Sequence, residues 1–325
     1  MNTRLLTGIA VTLLILFGAA VGAGAYIFNR ITSVDAHCVN RPEDVDNRPD
    51  SFTREGVDLS PYFMETYETA EFQSRDGEAN LSAWYVPAEN SEAAIIIVHG
   101  VNDCKQRAFT LTVAGILHNA GYNVLLIDMR NHGESEVTTA RHTGGIDESS
   151  DVLGAWDWLV EEKGLEPPSI GVLGFSLGAA TSIMAAGEEP QIAAVWSDSS
   201  FAAIDDIARD ELERAGIPRF VAPWSIAVGE GIYRTDITSN SPLDAIQKFD
   251  GRPIFFVHGS ADERVKYQYS EDLAAEIDET VWLVDGAAHI ESIWDAMSDY
   301  EQRLVAFFDE SLQQGNTEEL DNDAD

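Results

Sequence analysis

Residues Gly174-Phe175-Ser176-Leu177-Gly178 read G-x-S-x-G where a short apolar run, 169–173, gives way to a helix-forming stretch beginning Ala179-Ala180-Thr181. A sharp strand-to-helix turn throws its central serine clear of the backbone at positive φ. The residues two before and two after must then be nearly free of side chain. The chemistry served is attack of a serine hydroxyl on an acyl carbon. Chance supplies roughly 0.1 such pentapeptides in a chain of this length at average glycine and serine usage, so the surrounding residues must carry the assignment.

A serine hydroxyl at neutral pH needs a general base, an acid to orient that base, and donors for the developing oxyanion. The chain has seven histidines. His99 and His258 each close an apolar run and precede glycine, His132 lies in the turn Asn131-His132-Gly133, and His118 falls in a predicted helix. His142 sits in a glycine-rich loop and His37 in a polar stretch near the N-terminus. His289 remains, in the loop Asp285-Gly286-Ala287-Ala288-His289 after the last predicted strand, on the edge where ligand-facing loops of such sheets gather. Two acids compete for the third role. Asp262, in Gly259-Ser260-Ala261-Asp262-Glu263-Arg264-Val265, follows one strand and can also cap the next helix. Asp198 ends the neighbouring strand, and residue types alone leave both open.

The elements that must position these groups are short apolar runs alternating with helical stretches. The runs are Ala94–Val98, Val124–Ile127, Ile170–Leu173, Ile192–Trp196, Pro253–Val257 and Thr280–Val284. Runs apolar on both faces belong to a buried parallel sheet, and alternation with helices makes it doubly wound, an α/β fold. Helices are expected at about 105–120, 148–162, 177–186, 265–277 and 293–311. Ahead of them, Glu68–Ser74 and Leu81–Val86 flank the turn Arg75-Asp76-Gly77-Glu78 and predict an antiparallel hairpin. More than fifty residues separate Trp196 from Pro253, far above the usual few-residue connection, so a helical cap is inserted at about 201–250. It is read as a lid over a substrate pocket.

From Leu5 to Phe28 there is no charged residue, and 24 residues at helical rise span about 36 Å, enough for a bilayer core. Residues 1–30 are therefore read as a single transmembrane helix, an uncleaved signal anchor. The alternative is a secreted protein, since Ala23-Gly24-Ala25 matches a signal-peptide cleavage site. The habit of signal anchors places the catalytic domain outside the cytoplasm. Residues 31–61 are polar and proline-containing, a stem or linker; 62–312 form the catalytic domain; and 313–325 form an acidic disordered tail.

The balance of 20 Lys and Arg against 56 Asp and Glu gives a formal net charge of −36. Nucleic acid is excluded as a partner, and anionic groups are repelled at long range. Such acidity suits a high-salt habitat. Two cysteines, Cys38 and Cys104, make neither a disulfide framework nor a metal site and are read as unrelated free thiols.

Taken in order, His99-Gly100, the stretch Asp128 to Ser135, the Ser176 pentapeptide, Ser241-Pro242, His258-Gly259 with Asp262, and His289 resemble the α/β-hydrolases. Within that fold the chain is similar to serine hydrolases grouped with the serine aminopeptidases and acyl hydrolases, over about 62–312. The resemblance implies the chain order Ser, Asp, His, which selects Asp262 over Asp198. It also implies an oxyanion hole from the backbone N–H groups of Leu177 and Val101, and neither metal nor cofactor. The turn at 128–135 is read as structural, with Asn131 where glycine is common in the family. The expected reaction is hydrolysis of a carboxylic ester or thioester, small or lipid-derived, through an acyl-enzyme on Ser176. An aminopeptidase is the alternative, and a silent binding protein the second.

Overall fold

The computed structural model describes residues 3–35 and 46–313. Its first element is helix α1 (Thr3–Thr32). Strands β1 (Glu68–Gln73) and β2 (Asn80–Val86) follow, and then strands and helices alternate: β3 (Ala94–Val98), α2 (Ala108–Asn119), β4 (Asn123–Ile127), α3 (Ile146–Glu161), β5 (Ile170–Phe175), α4 (Leu177–Glu188) and β6 (Ala194–Asp198). Helices α5 (Ile204–Arg214), α6 (Ala222–Tyr233) and α7 (Pro242–Ile246) interrupt the alternation. It resumes with β7 (Ile254–Gly259), α8 (Gln268–Glu276), β8 (Val281–Val284), α9 (Ser292–Asp295) and α10 (Met297–Gln313).

One eight-stranded sheet runs in the order β1-β2-β4-β3-β5-β6-β7-β8. The β1–β2 and β2–β4 pairs are antiparallel and every other pair is parallel. Strand β3 shows why its sequence is a continuous aliphatic run. Ile96 and Val98 point into the core shared with α3 and α4, while Ile95 and Ile97 point into the core shared with α2 and α10. With helices on both faces, alternation of polar and apolar residues has no place. Parallel pairing also collects the carboxyl ends of β5, β6, β7 and β8 on one edge, which is where Ser176, Asp198, Asp262 and His289 emerge.

Two expectations are corrected in detail. The helix expected at 293–311 is two helices, because Ala296 leaves helical geometry at φ −134°, ψ 39°. Cys104 is disulfide-bonded rather than a free thiol; Cys38 lies outside the described residues.

The described ends of the stretch read as a stem, 31–61, pack on the rest of the chain instead of standing clear of it. Phe52, Leu59 and Met64 are buried in the core beneath α2, and Phe52 meets Phe63 with ring centroids 5.1 Å apart. Residues 36–45 and the acidic tail from 314 onward lie outside the described residues.

Helix α1 is long and apolar enough to cross a membrane over Leu6–Thr32. Its first five turns are exposed, but Gly24, Ile27 and Phe28 are buried. Gly24 is a point of close approach, since a side chain there would meet Trp224 and Val228 of α6. Phe28 sits directly over Gly229, where an added Cβ would fall 1.9 Å from its ring, and stacks on Tyr233 at 5.7 Å. Burying a phenylalanine of this kind contributes about 1.5–3 kcal/mol.

Candidate active site

Ser176 lies between β5 and α4 at φ 53°, ψ −117°. The two glycines flanking it answer to contacts rather than to flexibility. A Cβ at Gly174 would lie 2.2 Å from the Gly178 carbonyl oxygen, and one at Gly178 would lie 2.4 Å from the carbonyl oxygens of Val98 and His99. The elbow is thus wedged against the end of β3, and only glycine fits at either flank. The Ser176 N–H donates to the Asp198 carbonyl at 2.8 Å, and the Ser176 carbonyl accepts from Ala179 and Ala180 as α4 begins.

His289 is carried by the loop after β8 and brings Nε2 to 3.0 Å from Ser176 Oγ, while its Nδ1–H donates to Asp262 Oδ2 at 2.6 Å. Asp262 is itself held from several directions. Oδ1 accepts the N–H groups of Arg264 and Val265, both at 2.8 Å, as α8 is approached. Oδ2 also accepts from His258 Nε2 at 3.1 Å. Burial pushes the carboxyl upward, but the hydrogen bonds from His258 and His289, with that of the Val265 N–H, outweigh it and hold Asp262 well below the usual carboxylate range. It therefore stays ionised beside the imidazole.

Asp198, the rival acid, is placed elsewhere. Its carboxylate accepts from Tyr300 Oη at 2.9 Å and Ser199 Oγ at 2.8 Å, and Tyr300 in turn accepts from Trp196 Nε1 at 3.0 Å. Burial raises its pKa to about 6, against the opposing pull of Ser199 and Tyr300. The structure therefore brings Ser176, His289 and Asp262 together and leaves Asp198 in a separate buried chain behind them.

Leu177 is the first residue of α4, and Val101 lies in the loop after β3 and lines the same two cavities as Ser176. Gly100 permits this approach, since a Cβ there would meet Ser176 Cβ at 3.3 Å. The turn from Asp128 to Ser135 does not reach the nucleophile. Asp128 accepts from the fully buried Lys105 Nζ at 2.5 Å and from the N–H groups of Lys105 and Glu134. Asn131 takes φ 66°, and its Oδ1 accepts the N–H groups of Thr138, Thr139 and Ala140. Asparagine thus fills the left-handed position and gains a function for its side chain. Among the described residues, no group of three or more His, Cys, Asp or Glu side chains could hold a metal ion.

A cavity of about 210 Å³ opens on each side of Ser176. One is lined by Arg54, Asp103, Arg107, Phe109, His289 and Glu291. Its carboxylates are ion-paired: Asp103 with Arg107 at 2.9 Å and Glu291 with Arg54 at 2.7 Å. The other is less polar than the first, with Ile31, Leu177, Phe201, Ile204, Ile207 and Val265 in its wall together with His142, Glu211, Arg30 and Arg264. Neither of these two arginines has an ion-pair partner among the described residues.

Sequence reasoning missed four contributors. His258 as a second donor to Asp262 was signalled only by its place four residues earlier at the end of β7. Arg54, from the supposed stem, reaches the cavity across more than 200 residues of chain separation from Glu291. Arg30 and Ile31, from the apolar N-terminal helix, carry no local sign of belonging to a site.

The mostly parallel sheet with its antiparallel leading pair and the strand-to-helix serine turn define the α/β-hydrolase fold. A family model for the alpha/beta hydrolase fold matches residues 93–215. Among curated proteins, the chain is 27% identical over 260 residues to the uncharacterized protein YfhR of Escherichia coli strain K12, covering 77% of this chain and 83% of that one. It is 32% identical over 121 residues to the thiohydrolase aneE of Aspergillus aculeatus, covering 37% of each. Among solved structures, an esterase of Pyrococcus furiosus, Pf2001, superposes with a TM-score of 0.61 at 23% identity, over 80% of this chain and 98% of that one.

Proposed function

We propose that the protein is a serine hydrolase that cleaves carboxylic esters or thioesters through an acyl-enzyme on Ser176. The observation that carries this reading is the unbroken hydrogen-bonded path from Ser176 Oγ through His289 to Asp262. In this reading His289 Nε2 takes the hydroxyl proton as Ser176 attacks the carbonyl carbon, and Asp262 fixes the tautomer and stabilises the imidazolium. The N–H groups of Val101 and Leu177 receive the oxyanion. The carbonyl-to-leaving-group bond breaks, His289 returns the proton to the departing alcohol or thiol, and an acyl-serine remains. Water, deprotonated by His289, then attacks the acyl-serine to release the acid and restore the hydroxyl.

Ester or thioester cleavage is favoured over aminopeptidase action by the charges at the cavities. A substrate amine calls for an unengaged carboxylate, yet Asp103, Glu211 and Glu291 are each held by an arginine, while Arg30 and Arg264 have no ion partner among the described residues. The partial likeness to a thiohydrolase is consistent with an acyl-transfer site that accepts thioesters. The N-terminal helix is taken as a membrane anchor with the catalytic body outside the cytoplasm. The disulfide-bonded Cys104 fits that compartment, because cytosolic thiols are kept reduced.

Fluorophosphonate labelling of the full-length protein tests the serine chemistry, with Ser176→Ala as control. Labelling is expected in the wild type and not in the variant. Hydrolysis of p-nitrophenyl acyl esters is expected to exceed that of aminoacyl anilides, and the opposite preference would overturn the ester assignment.

A further inference from the structure

The second cavity beside Ser176 mixes apolar side chains, Ile31, Phe201, Ile204 and Ile207, with polar ones, and it is not closed by the catalytic body alone: Arg30, Ile31 and Ser33, at and just beyond the end of α1, form part of its wall. The same helix is exposed along its apolar length, with Leu13, Leu14, Ile15, Leu16 and Phe17 each 60% or more exposed. From Thr3 to Ala23 there are 21 residues, and at helical rise they cover about 32 Å, close to the roughly 30 Å of a hydrocarbon core. From Gly24 onward α1 is packed on α6.

The level at which packing begins is also where the exposed face of the cap turns apolar. Phe220 is 81% exposed, with Trp224 and Ile232 following on α6 and Tyr26 exposed on α1 beside them. Between Phe220 and Tyr233 the only charged residue is Glu230, in a chain whose net charge is −36. Exposed Trp, Tyr and Phe without surrounding charge belong at a membrane interface. Ile31 lies eight residues beyond Ala23, about 12 Å further along the axis, just outside a headgroup layer about 6 Å thick. Helix α1 is continuous across this distance, so the cavity is held at the bilayer surface rather than swung on a tether.

We infer that the last two turns of α1 are a substrate-binding element, and that the substrate is a long-chain acyl ester resident in the bilayer whose chain lies against Ile31 on its way to Ser176. The inference rests on the serine chemistry proposed above. The cavity's volume of about 210 Å³ lies below the approximately 300–1,000 Å³ of sites that enclose a whole small molecule. A long-chain substrate would therefore keep part of its chain outside, where the exposed apolar residues Tyr26 of α1 and Trp224 and Ile232 of α6 stand.

The test uses the full-length protein in phosphatidylcholine vesicles, with p-nitrophenyl acetate and p-nitrophenyl palmitate as substrates. Ile31→Trp, which fills the cavity, is expected to lower the ratio of palmitate to acetate kcat/KM about ten-fold or more. Ile31→Ala, which adds no bulk and guards against misfolding of the first variant, is expected to change the same ratio by about three-fold or more. Leu16→Trp, in the middle of the exposed span, is expected to leave the ratio at its wild-type value. An unchanged ratio in both Ile31 variants, with Ser176-dependent fluorophosphonate labelling intact, overturns the inference while leaving the serine chemistry standing. Absence of that labelling in the wild type removes the serine chemistry itself, and this inference with it.

Discussion

Ser176 has two flanks built on different physical terms. On one side, the ends of β5, β7 and β8 supply the elbow, Asp262 and His289, and backbone contacts and hydrogen bonds fix them. Gly174 and Gly178 admit no side chain, and Asp262 accepts four hydrogen bonds. On the other side, α1, α5 and α6 meet through apolar surface, with Phe28 over Gly229 and the C-terminal end of α1 beside the cavity. Directional bonds specify where a proton moves. Apolar packing is tolerant of what it touches, so in the function proposed above it would set which acyl group is accepted. The first flank is where chemistry should be fragile, and the second is where selectivity should be adjustable.

The sharpest division between the flanks comes from removing the reacting groups. Ser176→Ala is expected to lower kcat by about 10⁴-fold or more, and Asp262→Asn by roughly 10³–10⁴-fold, whereas Asp198→Asn should cost no more than about ten-fold. Single-turnover kinetics on an activated ester would check the order, and a larger loss at Asp198 would reassign the acid.

Next in size is a structural contrast. Gly178→Ala drives a Cβ toward two backbone carbonyls and should destabilise the protein by about 3 kcal/mol. Gly229→Ala displaces the ring of Phe28 and forfeits its burial, so its cost should be no more than about 1.5–3 kcal/mol. Thermal denaturation compares the two. Equal losses would mean that α1 is as tightly specified as the elbow.

The smallest effect concerns protons at the seam. His142 donates from Nε2 to the Ile31 carbonyl and accepts the Gly144 N–H at Nδ1, and burial lowers its pKa, partly offset by Glu148. The folded state therefore keeps His142 neutral below the ordinary histidine pKa while the unfolded chain takes up a proton. Its share of stability is complete above about pH 6.5 and falls as pH drops toward the lowered folded value, by up to about 1.4 kcal/mol per pH unit. The buried carboxyls of Asp151 and Asp198, raised to about 7 and about 6, act in the opposite sense over part of this range. The difference between wild type and His142→Asn isolates the histidine, and the variant should show a flatter loss of stability between pH 7 and pH 5.

The contrast between flanks also explains what could be read from sequence. Ser176 and Asp262 were legible because each follows a run buried on both faces, and His289 because it follows the last apolar run, the partly exposed β8, so the sheet's own pattern places them on one edge. The choice of Asp262 over Asp198 needed the resemblance, since both end parallel strands. His258 was visible as the end of β7, but its bond to Asp262 follows from the path of the loop after it. The role of Arg30 and Ile31 was hidden because a residue in an apolar helix reads the same whether it faces lipid or a cavity. Arg54 was hidden in a stretch whose polar composition suggested a linker, although Phe52 and Leu59 anchor it in the core. The break at Ala296 has no counterpart in residue type, since alanine is the strongest helix former.

The position of Phe28 bears on the two fates open to the N-terminus. The Ala23-Gly24-Ala25 site would be cut just before Tyr26, leaving Ile27, Phe28, Arg30 and Ile31 on the mature chain. A released enzyme could therefore keep the plug over Gly229 and the same cavity wall, and would lose only its reservoir of substrate. If the protein is the ester hydrolase proposed above, anchored and shed forms would share one specificity and differ in supply: the first would draw on a two-dimensional pool, the second on ester dispersed in water.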